Sequence, residues 1–199
     1  LSVADWDQDG LPDLVVNSIW GKVVWYRNIG TREEPKLATS QPIEIEWPAE
    51  TPKPEWVWWQ PERKSLATEW RTTPVVVDFN DDELPDLVML DQEGYLAFFE
   101  RARHDGGVVL LPPRRLIHDE RAQPLRLAAG SAGASGRRKL CLVDWNRDGL
   151  LDILVNAENV QVLAGAGWTD GVYRVASAGL VDSRKLAGHD TSPTVVDWD

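Results

Sequence analysis

Three short stretches place oxygen-bearing side chains at one spacing. They are DWDQDGLPD from Asp5 to Asp13, DFNDDELPD from Asp78 to Asp86, and DWNRDGLLD from Asp144 to Asp152. A fourth copy, DWD, begins at Asp197. Carboxylates this close repel one another unless a cation sits among them. In the pattern D-x-[DN]-x-[DN]-G-x-x-D the side-chain oxygens fall at positions 1, 3, 5 and 9, and the backbone carbonyl of position 7 can add a fifth. A set of hard oxygen ligands on a flexible loop suits Ca²⁺ better than Mg²⁺. The ligands expected are Asp5, Asp7, Asp9, Leu11 and Asp13 in the first loop. In the second they are Asp78, Asn80, Asp82, Leu84 and Asp86, and in the third Asp144, Asn146, Asp148, Leu150 and Asp152. The competing reading is three Asp-rich turns with solvated carboxylates; recurrence in one context favours calcium. Position 6 must take positive φ, which glycine does freely. Glu83 stands there in the second loop, so up to three calcium sites are expected, the second the weakest.

The segments around each loop must position it. The first Asp recurs at 5, 78, 144 and 197, spacings of 73, 66 and 53 residues. Unequal steps describe one structural unit with variable loops. The flanks recur as well, TTPVVVDFN before the second loop and TSPTVVDWD before the fourth. Between loops run short Val-, Ile-, Leu- and aromatic-rich segments bounded by Gly, Asn, Asp and Pro, such as LVVN, KVVWYRN, DLVML, YLAFFER, DILVN and VQVLAG. These read as strands, and no stretch shows a helical period. Each unit therefore predicts four antiparallel strands, A to D, with the acidic loop between A and B. The fold class expected is all-β, and four-stranded units in series suggest the blades of a β-propeller. The units run 1–73, 74–138 and 139–192, with 193–199 starting a fourth.

The acidic loops together with the recurring sPtvvDwd flank resemble the FG-GAP and VCBS repeat families, and WYRNIGTREEPKLA is similar to the bacterial VCBS style. The resemblance spans essentially the whole chain. It implies a calcium-bearing propeller, commonly seven-bladed, on a secreted, periplasmic or surface protein of bacteria. Fewer than three complete units cannot close a ring, so the chain reads as part of one propeller whose remaining blades are its first partners.

Antiparallel strands put the A–B loops at one end and the D–A loops at the other. Residues before each A strand therefore rim the face away from the metal: Trp70 and Arg71, Arg137 and Arg138, and His189. The loop at about 48–73 adds Trp56, Trp58 and Trp59. Indole faces stack on sugar rings and guanidinium groups grip carboxylate or sulfate, so this face is the expected site for a carbohydrate or protein ligand. Local packing and ion pairing are the alternative roles for the same residues. Trp6, Trp145, Trp198 and Phe79 share position 2 of the loops and are expected to pack between blades. GSAGASGRRK, from Gly130 to Lys139, resembles an anion cradle without P-loop spacing.

Two further readings stay open. One is part of a polysaccharide lyase acting on uronates, with His189 as proton-transfer group beside Arg71, Arg137 or Arg138. The other is a purely structural segment. A net charge of −11 argues against nucleic acid as a partner, and no apolar run reaches the ~20 residues of a membrane span. Cys141 is the only cysteine, which excludes an intrachain disulfide, and its strand context reads as packing.

Overall fold

The computed structural model describes residues 1–54, 60–128, 138–157, 159–185 and 192–196. Its described elements are all strands, as the short apolar segments predict. The first sheet runs β1 (Ser2–Ala4), β2 (Asp13–Asn17), β3 (Val23–Tyr26) and β4 (Gln41–Pro42), each antiparallel to the next. The second runs β5 (Val75–Val77), β6 (Asp86–Leu90) and β7 (Leu96–Phe99). The hairpin β8 (Arg101–His104) and β9 (Gly107–Leu110) follows it. The third sheet holds β11 (Leu140–Val143), β12 (Asp152–Asn156), β13 (Val160–Thr169) and β14 (Val172–Leu180), with β10 (Ile117–His118) on its outer edge. Asp170 and Gly171 both take positive φ between β13 and β14, the two-residue turn that matches strand twist.

Strand alternation explains how the sheets associate. Leu87, Met89, Ala97 and Phe99 point from the second sheet to Trp6, Val15, Val23, Ile43 and Ile45. The alternate residues Val88, Leu90, Leu96 and Phe98 join Leu140, Ile153, Val155, Leu163, Tyr173 and Val175. The second sheet is thus buried on both faces, which is why DLVML reads as a continuous apolar run rather than an alternating one. Strand β5 lies beside β1 on one side and β11 on the other, and Ser2 Oγ accepts from the amide of Val76 at 3.2 Å. The first strands of the three units therefore share one edge of the stack.

The expected fourth strand departs in two units. In the first, IEIEW contributes single backbone bonds from Ile43 to Val23 and from Ile45 to Lys64, while the strand itself is Gln41–Pro42. In the second, the edge of β7 is met by two separate segments, at Arg114 and at Leu125. Between them the chain leaves to form β10 and returns through a turn in which the Asp119 amide donates to the Gln123 carbonyl. His118 belongs to β10 and pairs parallel with β14 of the third sheet.

Candidate metal centre

The three acidic loops share one backbone design. The position 1 carboxylate accepts from the amides of positions 5 and 6: Asp5 from Asp9 and Gly10, Asp78 from Asp82 and Glu83, Asp144 from Asp148 and Gly149, all at 2.8–3.1 Å. The position 5 carboxylate accepts from the amide of position 7, at Leu11, Leu84 and Leu150. Position 6 takes positive φ in each loop: Gly10 at 89°, Glu83 at 67° and Gly149 at 87°. Position 4 does so as well, at Gln8 (61°), Asp81 (60°) and Arg147 (63°). That second left-handed residue has no signature in the sequence, because the three residues share no type.

Position 9 does a different job from its neighbours. Asp13, Asp86 and Asp152 are each fully buried. One oxygen accepts from the amide of position 2, at Trp6, Phe79 and Trp145 (2.9–3.3 Å). The other accepts from the amide of Asn28, Arg101 or Gly165, beyond or late in the third strand (2.7–2.8 Å). Each carboxylate therefore staples its loop to the sheet. For Asp86, burial raises the pKa to about 6 against two backbone donors, with Asp82 and Asp78 adding like charge.

Oxygens of Asp5, Asp7 and Asp13 lie within 4.8 Å of one another, as do those of Asp78, Asp82 and Asp86. The donor set is all oxygen, and Asp7 Oδ1 is buried without a hydrogen-bond partner. Burial raises the pKa of Asp7, with Asp13 and Asp9 adding to it and Arg27 opposing. Crowded, desolvated carboxylates with an orphaned oxygen fit a hard divalent cation. Asn80 and Asn146 each hold the position 5 carboxylate through Nδ2, at 3.0 and 2.8 Å.

The first loop also contains a cation that its motif does not show. Arg27, just past β3, pairs through Nε with Asp7 at 2.7 Å and through Nη2 with Asp9 at 2.8 Å. The hydrogen bond from Arg27 lowers the pKa of Asp9. The corresponding residue of the second unit is Glu100, since Asn28 and Arg101 make the same bond to position 9.

The loops touch one another across the stack. Gln8 Nε2 donates to the Glu83 carbonyl at 2.6 Å. Arg101 donates to the carbonyls of Trp6 (2.6 Å) and Pro85 (3.3 Å), with its guanidinium 4.1 Å from the Trp6 ring. Phe79 packs on Phe98, Trp168 and Tyr173, with centroids 5.2–5.3 Å apart. No family model, curated protein or solved structure matches this chain.

Position 2 packs as expected for Trp6 and Phe79, but Trp145 is 46% exposed. Trp198 lies outside the described residues.

At the opposite end, the guanidinium of Arg71 stacks on Trp70 at 4.4 Å, and Lys139 Nζ donates to the Arg71 carbonyl at 2.8 Å. Arg138 is held by carbonyls, Nε on Leu127 (2.9 Å) and Nη1 on Asn156 (3.2 Å). Asn17 Nδ2 reaches the carbonyls of Glu69 and Thr72. The structure thus brings together Trp70, Arg71 and Lys139, each of which the sequence places just before a first strand. The expected contacts at Trp56, Trp58, Trp59, Arg137 and His189, and most of the Gly130–Lys139 loop, lie outside the described residues.

Proposed function

We propose that this chain is a calcium-stabilised segment of a β-propeller of the FG-GAP/VCBS type. In this reading it belongs to a secreted, periplasmic or surface protein and binds a carbohydrate or protein ligand at the end away from the metal loops. The observation that carries the proposal is the threefold recurrence of one loop geometry, at one end of three sheets stacked through their faces with first strands adjacent. Calcium would be held by positions 1, 3, 5 and 9 and the position 7 carbonyl of each loop. It would neutralise the crowded carboxylates and fix the crossing from the first to the second strand. No described helix is long and apolar enough to cross a membrane.

The test has two arms. Calcium should raise the thermal midpoint of chelator-treated protein saturably, and Asp5→Asn combined with Asp78→Asn should blunt that rise. An unchanged midpoint would remove calcium from the proposal. A glycan array probed with the wild type and with Trp70→Ala then tests the binding face. Retention of every bound glycan by the variant would move the ligand site elsewhere.

A further inference from the structure

We infer that Arg71, Thr72 and Lys139 form a binding site for an oxyanion, a carboxylate or sulfate group borne by the ligand. This rests on the proposed ligand face and names the chemistry that face selects. Arg71 and Thr72 precede β5, and Lys139 precedes β11, so two adjacent sheets deliver the groups to one edge. Lys139 Nζ reaches the backbone carbonyl of Arg71 itself, at 2.8 Å, which brings its ammonium to the same turn. Among the described residues no carboxylate makes an ion pair with either. Arg71 Nε is buried with no hydrogen-bond partner, and so is Thr72 Oγ1, on a residue only 2% exposed. Burying donors unpaired is costly, and charged ones more so. A bound oxyanion removes that cost by accepting from the guanidinium, the hydroxyl and the ammonium together.

Arg71 has φ of 57°, a conformation that is strained for a long side chain. Stacking on Trp70 fixes the guanidinium plane, which lowers the entropy lost when a planar anion docks. Burial, and after it the neighbouring Arg71, lower the Lys139 pKa.

Calorimetric titration of the whole chain tests this at constant ionic strength, with sodium sulfate, sodium glucuronate and neutral glucose as probes against a chloride background. Saturable binding of sulfate or glucuronate is expected, with none for glucose. Arg71→Met and Lys139→Met should each weaken it about tenfold or more, the scale of one charge-assisted hydrogen bond, whereas the exposed Arg121→Gln should leave it unchanged. Binding of glucuronate but not sulfate would identify a glycan carboxylate as the source; sulfate alone would identify a sulfate ester. Should Arg71→Met not fold, the ¹⁵N resonance of wild-type Arg71 Nε supplies the same answer, because it must shift with added anion. No saturable heat with either anion, equal affinity in Arg71→Met, or an unmoved Nε resonance overturns the inference. Array binding of neutral glycans sensitive to Trp70→Ala would then leave the ligand-face proposal standing alone.

Discussion

Glu83 takes φ of 67° where its counterparts Gly10 and Gly149 sit at 89° and 87°. A side chain in that conformation costs on the order of 1 kcal/mol, so Glu83→Gly should stabilise the cation-free chain by about that amount. The readout is the urea midpoint, and a lower midpoint would mean that the Glu83 side chain contributes more than its backbone costs. The Glu83 departure was legible from residue type; position 4 was not, since Gln8, Asp81 and Arg147 share only a dihedral. Arg27 escaped notice for another reason: it lies 18 residues from Asp9 in sequence, and only the pairing of β2 with β3 brings it back. Its guanidinium occupies the carboxylates that a cation needs at positions 3 and 5. Arg27→Gln should therefore raise the calcium affinity of the first loop severalfold while leaving the second and third unchanged. Titration of the wild type and variant with calcium, followed by loop-specific NMR shifts, distinguishes this from a general change in charge.

The elements were legible where one strand carries its own pattern, and not where pairing depends on distant segments. DLVML and DILVN announce doubly buried strands by their unbroken apolar runs, and both are fully buried. The fourth strand of the second unit could not be placed from sequence, because its hydrogen bonds are split between Arg114 and Leu125 on either side of β10. The join between the first two sheets was equally silent. Arg101 follows an ordinary apolar strand, yet it is buried, stacks on Trp6 and donates to carbonyls on both sides of the interface. Burial lowers its pKa, with Asp86 and Asp7 opposing. Arg101→Met keeps the stem packed on the indole but strands two carbonyls, so a loss of about 1–3 kcal/mol is expected. Arg101→Lys should not rescue it, because an ammonium lacks the planar fork and the stacking face. Equilibrium urea unfolding measures both variants; full stability in either would show that the sheets are joined by their apolar faces alone.

Across the whole molecule, the acidic loops line one end of three stacked sheets, and Arg71 with the Lys139 ammonium on its carbonyl lies at the other. The chain carries a net charge of −11, so its stability should depend on which cation neutralises the loops, and pH discriminates between proton and calcium. In the cation-free chain Asp86 titrates near 6 because it is buried, above its ordinary 3.8. A raised folded pKa means that the native state binds the proton more tightly, so this group's contribution is full below 3.8 and is lost as pH rises through about 6. Asp7, also raised by burial, acts in the same direction. Calcium competes for these same oxygens and binds only their ionised forms. The stabilisation it confers should therefore be small near pH 4, grow through the window between the two Asp86 values, and level off above about 7. Thermal midpoints measured with excess calcium and with excess chelator, at matched ionic strength across that range, give the difference directly. A difference independent of pH would mean that the loops hold no shared cation. A difference that shrinks as pH rises would mean that the protonated carboxyls, rather than a metal, hold the loops together.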